Sequence, residues 1–208
     1  KLGIRSLRRN PALTALMVLT LAIGVAASVS TLTILHMMSG DPIPSKSERL
    51  FVPQFDNGDL DGYTPGDEPG DMQMSYLDAA NLLRSGQGER RTAMYGLEVA
   101  IEPPRKDIPA FNASGLAPTR DFFAMFDVPF LHGQAWSEED DQRGADVVVL
   151  GRATADRLFG QANPVGQRLM MMGHPYTVVG VTNTWAPLPR YYKLIGGARF
   201  GDGEAFFI

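Results

Sequence analysis

The chain has 208 residues, a formal net charge of −4 and no cysteine, which excludes disulfides and thiolate chemistry. Lys1, Arg5, Arg8 and Arg9 meet no acid before Asp41, so the first 38 residues carry +4 and the remainder −8. A basic head, an uncharged stretch and an acidic body point to a membrane-anchored protein and not to a nucleic-acid binder.

From Ala12 to Met38, 27 consecutive residues lack Asp, Glu, Lys and Arg, and only His36 is readily protonated. As a helix this run measures roughly 40 Å, more than the roughly 30 Å of a bilayer's hydrocarbon core. Its leucines, isoleucines and valines occur all round the helix, which predicts a transmembrane helix over residues 11–38. Pro11 suits the first turn and Asn10 is placed to cap it. The Thr and Ser residues at 14, 20, 28, 30, 31 and 33 can return their hydroxyl hydrogens to preceding carbonyls. Residues 1–10, with Arg8 and Arg9 beside the span, form a basic interfacial segment that stays cytoplasmic by the positive-inside rule, leaving residues 39–208 outside. A signal peptide cut after Val25-Ala26-Ala27 and a buried soluble helix share parts of this pattern. The apolar run continues about ten residues past that cut, longer than a signal's usual apolar region, so a retained anchor is the preferred reading. Ala22, Ala26 and Ser30 repeat at the spacing that lets two membrane helices approach.

Pro42 and Pro44 end the helix. "RLFVPQF", Arg49 to Phe55, is expected as a strand, followed by an acidic loop rich in Gly and Pro from Asp56 to Asp71. Ser75 is expected to cap a helix with Leu77, Ala80 and Leu83 on one face and a stop at Gly86. "RRTAMYGLEVAIE" alternates as a strand, and "AFNASGLAP" returns beside it after the Pro103-Pro104 turn. Thr119 is expected to cap the short helix "RDFFAMF". Phe130 to Gly133 leads to an acid-rich turn ending at Asp141, and "ADVVVLG" is a buried strand. "RATADRLFG" is a helix stopped by Gly160, and "NPVGQRLMMMGHPYTVVGVTN" is a strand pair about a Gly173-His174-Pro175 turn, with Met171 inward and Met170 and Met172 outward. This alternation of strands with short helices makes the body α+β.

Chemistry is sparse. No phosphate-binding loop, zinc-protease motif or serine-nucleophile motif is present. His132 and His174 lie in separate turns, and His132 beside Glu138, Glu139, Asp140 and Asp141 is read as a solvated turn. Trp136 and Trp185 suit either ligand anchoring or a core edge. No catalytic residue, metal ligand or cofactor site is assigned.

The stretches "RSLRRNPALTALMVLTLAIGVAASVS", "PTRDFFAMFDVPFLHGQAW" and "VVVLGRATADRLFGQANPVGQRLMMMGHPYTVVGV" resemble, in order and spacing, the first transmembrane helix and periplasmic core domain of the MacB/FtsX-like ABC transporter permeases. Asp121-Phe122-Phe123 is similar to the family's helix opening, and Gly133 to the glycine of a Gly-Arg pair whose arginine is Gln134 here. Phe159-Gly160 resembles the family's helix end, Pro164 and Gly166 the turn after it, and Gly180 the glycine of its "TVVGV" strand. The resemblance implies that these residues specify packing and turns, and that the exported part has two subdomains, one inserted in the other, and is C-terminally incomplete. It also implies a bacterial cytoplasmic membrane permease paired with a second copy or paralogue and with cytoplasmic ABC ATP-binding subunits. Those subunits, or a fused domain, would hold ATP-Mg and hydrolyse it, so this chain is expected not to be an enzyme itself. An envelope partner or exported substrate would meet the outer domain. A single-span sensor or binding module is the alternative.

Asn57, Asp59, Asp61, Gly62 and Glu68 partly match a calcium loop, but Pro65 occupies a ligand position and no helices bracket the loop. Calcium is expected to leave the thermal transition unchanged. A calcium-specific rise abolished by replacing Asp59, Asp61 and Glu68 would overturn that reading.

Overall fold

The computed structural model describes residues 10–41, 43–53, 74–187, 190–193 and 203–208. The acidic loop with its calcium-like pattern, the basic segment with Arg8 and Arg9, and Pro42 lie outside the described residues. The chain divides into two units, Lys1–Pro44 and Ser45–Ile208.

The first unit contains helix α1, Pro11–Ser39, 29 residues with proline in the first turn. Asn10 makes no side-chain cap, contrary to expectation. Its carbonyl accepts both the amide and the hydroxyl of Thr14, each at 3.1 Å. Thr20, Thr31, Thr33 and Ser39 return their hydroxyls to the carbonyls of Met17, Ala27, Val29 and His36. Beyond Gly40, whose backbone is extended, the Ile43 amide donates to Asp41 Oδ1 at 3.0 Å.

The second unit is a mixed sheet decorated by short helices. Residues 49–53 are not a strand as the sequence suggests: Ser47–Arg49 is a single 3-10 turn and residues 50–53 are irregular. Phe51 is 82% exposed, so the apolar run lacks the burial a strand there would need, and Pro53 has no amide for a ladder. Helix α2, Tyr76–Arg84, is capped by Ser75, whose hydroxyl accepts the Asp78 amide at 3.2 Å. Its sheltered face is Ala79, Ala80, Leu82 and Leu83; Leu77 points to solvent at 68% exposure.

Strands β1, Met94–Glu102, and β2, Phe111–Pro118, pair antiparallel from Met94 opposite Pro118 to Ile101 opposite Phe111. Helix α3, Asp121–Met125, follows, but Thr119 is not its cap. The Thr119 hydroxyl donates to Thr92 and accepts the Ala93 amide, serving the neighbouring strand end. Strand β3, Phe130–Gly133, leads to helix α4, Glu138–Arg143. The acid-rich stretch is therefore a helix and not a turn. Ser137 and Asp140 form a reciprocal capping box, and four acids in the first turn face the positive end of the helix dipole.

Strand β4, Val147–Leu150, helix α5, Arg152–Phe159, and strands β5, Arg168–Met171, and β6, His174–Thr182, follow in order, and β7, Phe206–Phe207, completes the sheet. Opposite pairing of Met171 with His174 places the β5–β6 turn at Met172-Gly173, one step before the expected position. Both turn residues have positive φ, 53° and 73°, the twist that a two-residue hairpin needs. Met171 is buried while Met170 and Met172 are exposed, as the period-two reading requires.

The sheet order is β3-β6-β4-β7-β2-β1-β5, and β5 also pairs with β6, so six strands close into a ring with β3 on its rim. Both faces are covered. One core gathers Val99, Ile101, Val148, Leu150, Leu158, Met171, Val178 and Phe206; the other gathers Leu116, Phe122, Phe123, Trp136, Val149 and Phe207. Alternation explains the division: Val148 and Leu150 take one face, Val149 the other. The strands and helices described from Ser47 onward all belong to the second unit, Ser45–Ile208.

Gly133 lies directly opposite Gly180 where β3 meets β6. At φ +63°, a Cβ on Gly133 would overlap the Val179 carbonyl oxygen. Gly133→Ala is expected to cost about 2 kcal/mol or more in denaturant unfolding of the membrane-reconstituted chain. A loss below about 0.5 kcal/mol, within the range of neutral surface changes, would contradict this close approach.

Candidate functional site

Two features are candidates for function: the surface of α1 and the aromatic core of the body. In α1 the 27 residues Pro11–Met37 are long and apolar enough to cross a membrane, and none of that span is buried by protein. Leucines 13, 16, 19, 21, 32 and 35 all stand exposed around the helix. In water such a surface carries a large hydrophobic cost; in lipid it carries none, and the internal return of threonine hydroxyls suits that solvent.

The aromatic face is built on α3. Phe122 and Phe123 are buried and meet edge to face, with Phe122 also against Phe126, Trp185, Tyr192 and Phe207. Phe123 touches Trp136 at a centroid distance of 5.0 Å. Trp136 is itself buried and donates its indole N–H to Asp141 at 2.7 Å; the same carboxylate oxygen accepts the Arg120 amide at 3.0 Å. Asp121, at the start of α3, receives the Arg91 amide and the Arg90 guanidinium, both at 3.4 Å. Both tryptophans, left open between ligand anchor and core edge, thus pack in this core.

A buried ionic cluster fastens residues 190–193 to Glu204, two positions before β7, and nothing in the local pattern of the sequence announces it. Glu204 has no exposed side-chain surface and takes Lys193 Nζ at 2.9 Å and Arg190 at 3.4 Å. The Tyr192 hydroxyl donates to the same carboxylate at 2.9 Å, and its ring stacks on Trp185 at 5.0 Å. Arg190 Nε is buried with no hydrogen-bond partner among the described residues, and the guanidinium meets Glu204 through Nη1. Burial first, then the charge of Glu204, holds the Tyr192 hydroxyl well above its ordinary pKa of 10.

The sequence model of the MacB-like periplasmic core domain family matches residues 14–208, from inside α1 through β7. The chain belongs to this family. It is 28% identical over 152 residues to a probable export ATP-binding/permease protein of Pseudomonas fluorescens, covering 66% of this chain and 21% of that protein. It is likewise 28% identical over 183 residues to the macrolide export ATP-binding/permease protein MacB of Chromobacterium violaceum, covering 87% of this chain and 28% of that protein. The periplasmic region of MacB from Actinobacillus actinomycetemcomitans aligns with a TM-score of 0.48 and 19% identity over 65% of this chain and 64% of that one. The chain therefore spans less than a third of the length of these two export proteins.

The motif residues of this MacB-like chain do not converge on one spot. Asp121, Phe122 and Phe123 lie on the aromatic face; Gly133 and Gly180 meet at the β3–β6 contact. Phe159 packs against the opposite core, and Gly160 ends α5 with φ 67° but ψ −141°, outside the left-handed helical basin. Pro164 accepts the Gln167 amide at 2.9 Å and Gly166 donates to Val178 at 2.7 Å, closing the turn into β5. Among the described residues no group of three or more His, Asp or Glu gathers to hold a metal, so His132 and the α4 acids do not assemble into a site. His174 pairs instead with Asp146 at 3.0 Å. An open groove of about 440 Å³ is lined by Arg90, Arg120, Asp121 and Asp127 above Phe123 and Phe130.

Because Tyr192 keeps its proton in the folded state at pH values where the unfolded phenol has lost it, its stabilisation is complete below pH 10 and falls as pH rises beyond that value. Melting temperature followed above pH 10 should decline less steeply in Tyr192→Phe than in the parent chain. Equal slopes would contradict the buried Tyr192–Glu204 contact.

Proposed function

We propose that this chain supplies the first membrane span and the extracytoplasmic core domain of an ABC permease of the mechanotransmission type. The observation that carries the reading is the direct succession of a membrane-length, uncovered apolar helix and a MacB-like core domain. In this reading residues 1–10 lie at the cytoplasmic surface, residues 11–38 cross the bilayer of a bacterial inner membrane, and residues 39–208 stand outside. The four cations before α1 and the net negative body fit that orientation.

ATP-Mg would be bound and hydrolysed by an ABC subunit or fused domain beyond this chain, and a second permease copy or paralogue would complete the membrane unit. Closure of the ATPases would move α1, and α1 would carry the core domain against a substrate or envelope partner outside. The export functions of the relatives support movement of an exported molecule. Within the domain, Asp121, Phe122, Phe123, Gly133, Phe159, Gly160, Pro164, Gly166 and Gly180 act as packing and turn residues. They keep the body stiff enough to move as one piece, and Arg8, Arg9 and Pro11 set the span's orientation and start.

A reporter fused before Lys1 is expected to be active only in the cytoplasm, and one inserted after Asp67 only outside. The reverse pattern would reject the topology and with it the permease reading.

A further inference from the structure

Lys46 is the second residue of the body unit, seven positions beyond the last residue of α1. Its ammonium donates to the Ala124 carbonyl at 2.7 Å and to Asp127 Oδ1 at 2.5 Å. Both acceptors sit at the C-terminal end of α3, where carbonyls lack partners within the helix and the dipole's negative end favours a cation. Asp127 has φ 48°, a conformation uncommon outside glycine, and the ammonium bridges its side chain to the helix end. On its other side α3 presents Phe122, Phe123 and Phe126 to the aromatic core.

A second ion pair leaves the same segment, from Arg49 to Glu89, but its side chains are 68% and 73% exposed and Arg49 has no bond to a helix end there. Such a pair is screened and contributes little. Lys46 and Asp127 are 32% and 56% exposed, and the ammonium adds a second bond to the Ala124 carbonyl, so this is the stiffer attachment.

We infer that Lys46 is a positioning residue that passes displacement of α1 into the body, by gripping the end of α3 and through it the aromatic core. The inference rests on the permease reading above and adds the residue at which the force enters. Leu50 already packs on the aromatic core; the grip on Ala124 and Asp127, four residues earlier, shortens the path from α1 and makes the segment a lever on α3.

The test uses the complete transporter with its ATPase in nanodiscs, with amide hydrogen exchange recorded with and without ATP. In the parent protein, exchange at Phe126 and Val128, whose amides close the end of α3, should change with nucleotide. In Lys46→Met the nucleotide-dependent difference should vanish and Val128 should exchange roughly tenfold faster in both states, while ATP hydrolysis continues. Arg49→Met should keep the difference. If Lys46→Met keeps it as well, the inference fails and the permease reading stands. If no part of the body responds to nucleotide in the parent protein, the permease reading fails and takes the inference with it. Should Lys46→Met melt below the assay temperature, Asp127→Gly decides in the same way, since glycine suits the φ of 48° and leaves the ammonium no carboxylate to grip.

Discussion

Phe206 and Phe207 put their rings on opposite faces of one sheet, and between them they join the body's two cores. Phe206 is fully buried with the residues of α5 and the β5–β6 hairpin; Phe207 is buried against α3 and the tryptophans. The strand they form is two residues long, yet it lies between β4 and β2 and closes the path around the ring. Its backbone is secured at both ends: the Ala205 amide donates to Ser114, the Ala205 carbonyl accepts the Gly151 amide, and the Ile208 amide donates to Leu116. A segment so short has no stability of its own, so its place depends on cooperative burial on both faces.

The ionic cluster at Glu204 belongs to the same constraint. It stands two residues before this strand and ties residues 190–193 across the aromatic face, so the Glu204 carboxylate sets the position of Tyr192, Trp185 and the entry into β7 together. Replacing a buried ion group by one that leaves its partners unpaired costs about 3–5 kcal/mol, more than an exposed pair such as Arg49–Glu89 contributes. Stiffness of this kind supports the proposal that the domain moves as one body, and the scattered motif glycines support it too. Gly133 and Gly180 let two strands meet where no Cβ has room.

The elements with clear periods were legible from the residues. α1 followed from its unbroken apolar run, β1 and β2 from alternation across a proline turn, α5 from its closing glycine, and the inward Met171 from strand alternation. The errors arose where a local pattern had two physical solutions. The acids from Glu138 to Asp141 suggested a solvated turn, but Ser137 and Asp140 form a capping box that turns the same charges into a favourable first turn. The apolar Leu50, Phe51 and Val52 suggested a strand, but only Leu50 found a core to join. The Glu204 cluster was not legible at all, because its partners are separated by more than ten residues without a period and meet only once β7 is seated. The family motifs were legible as motifs, while their dispersal over both cores required the fold.

Everything proposed for the chain depends on α1 remaining attached as a rod through the bilayer. The most direct measurement is the intact mass of the protein extracted from cell membranes after an alkaline wash. The account predicts a membrane-retained species whose mass includes residues 11–38. A mature form that begins at Ser28 and stays in the soluble fraction would contradict it.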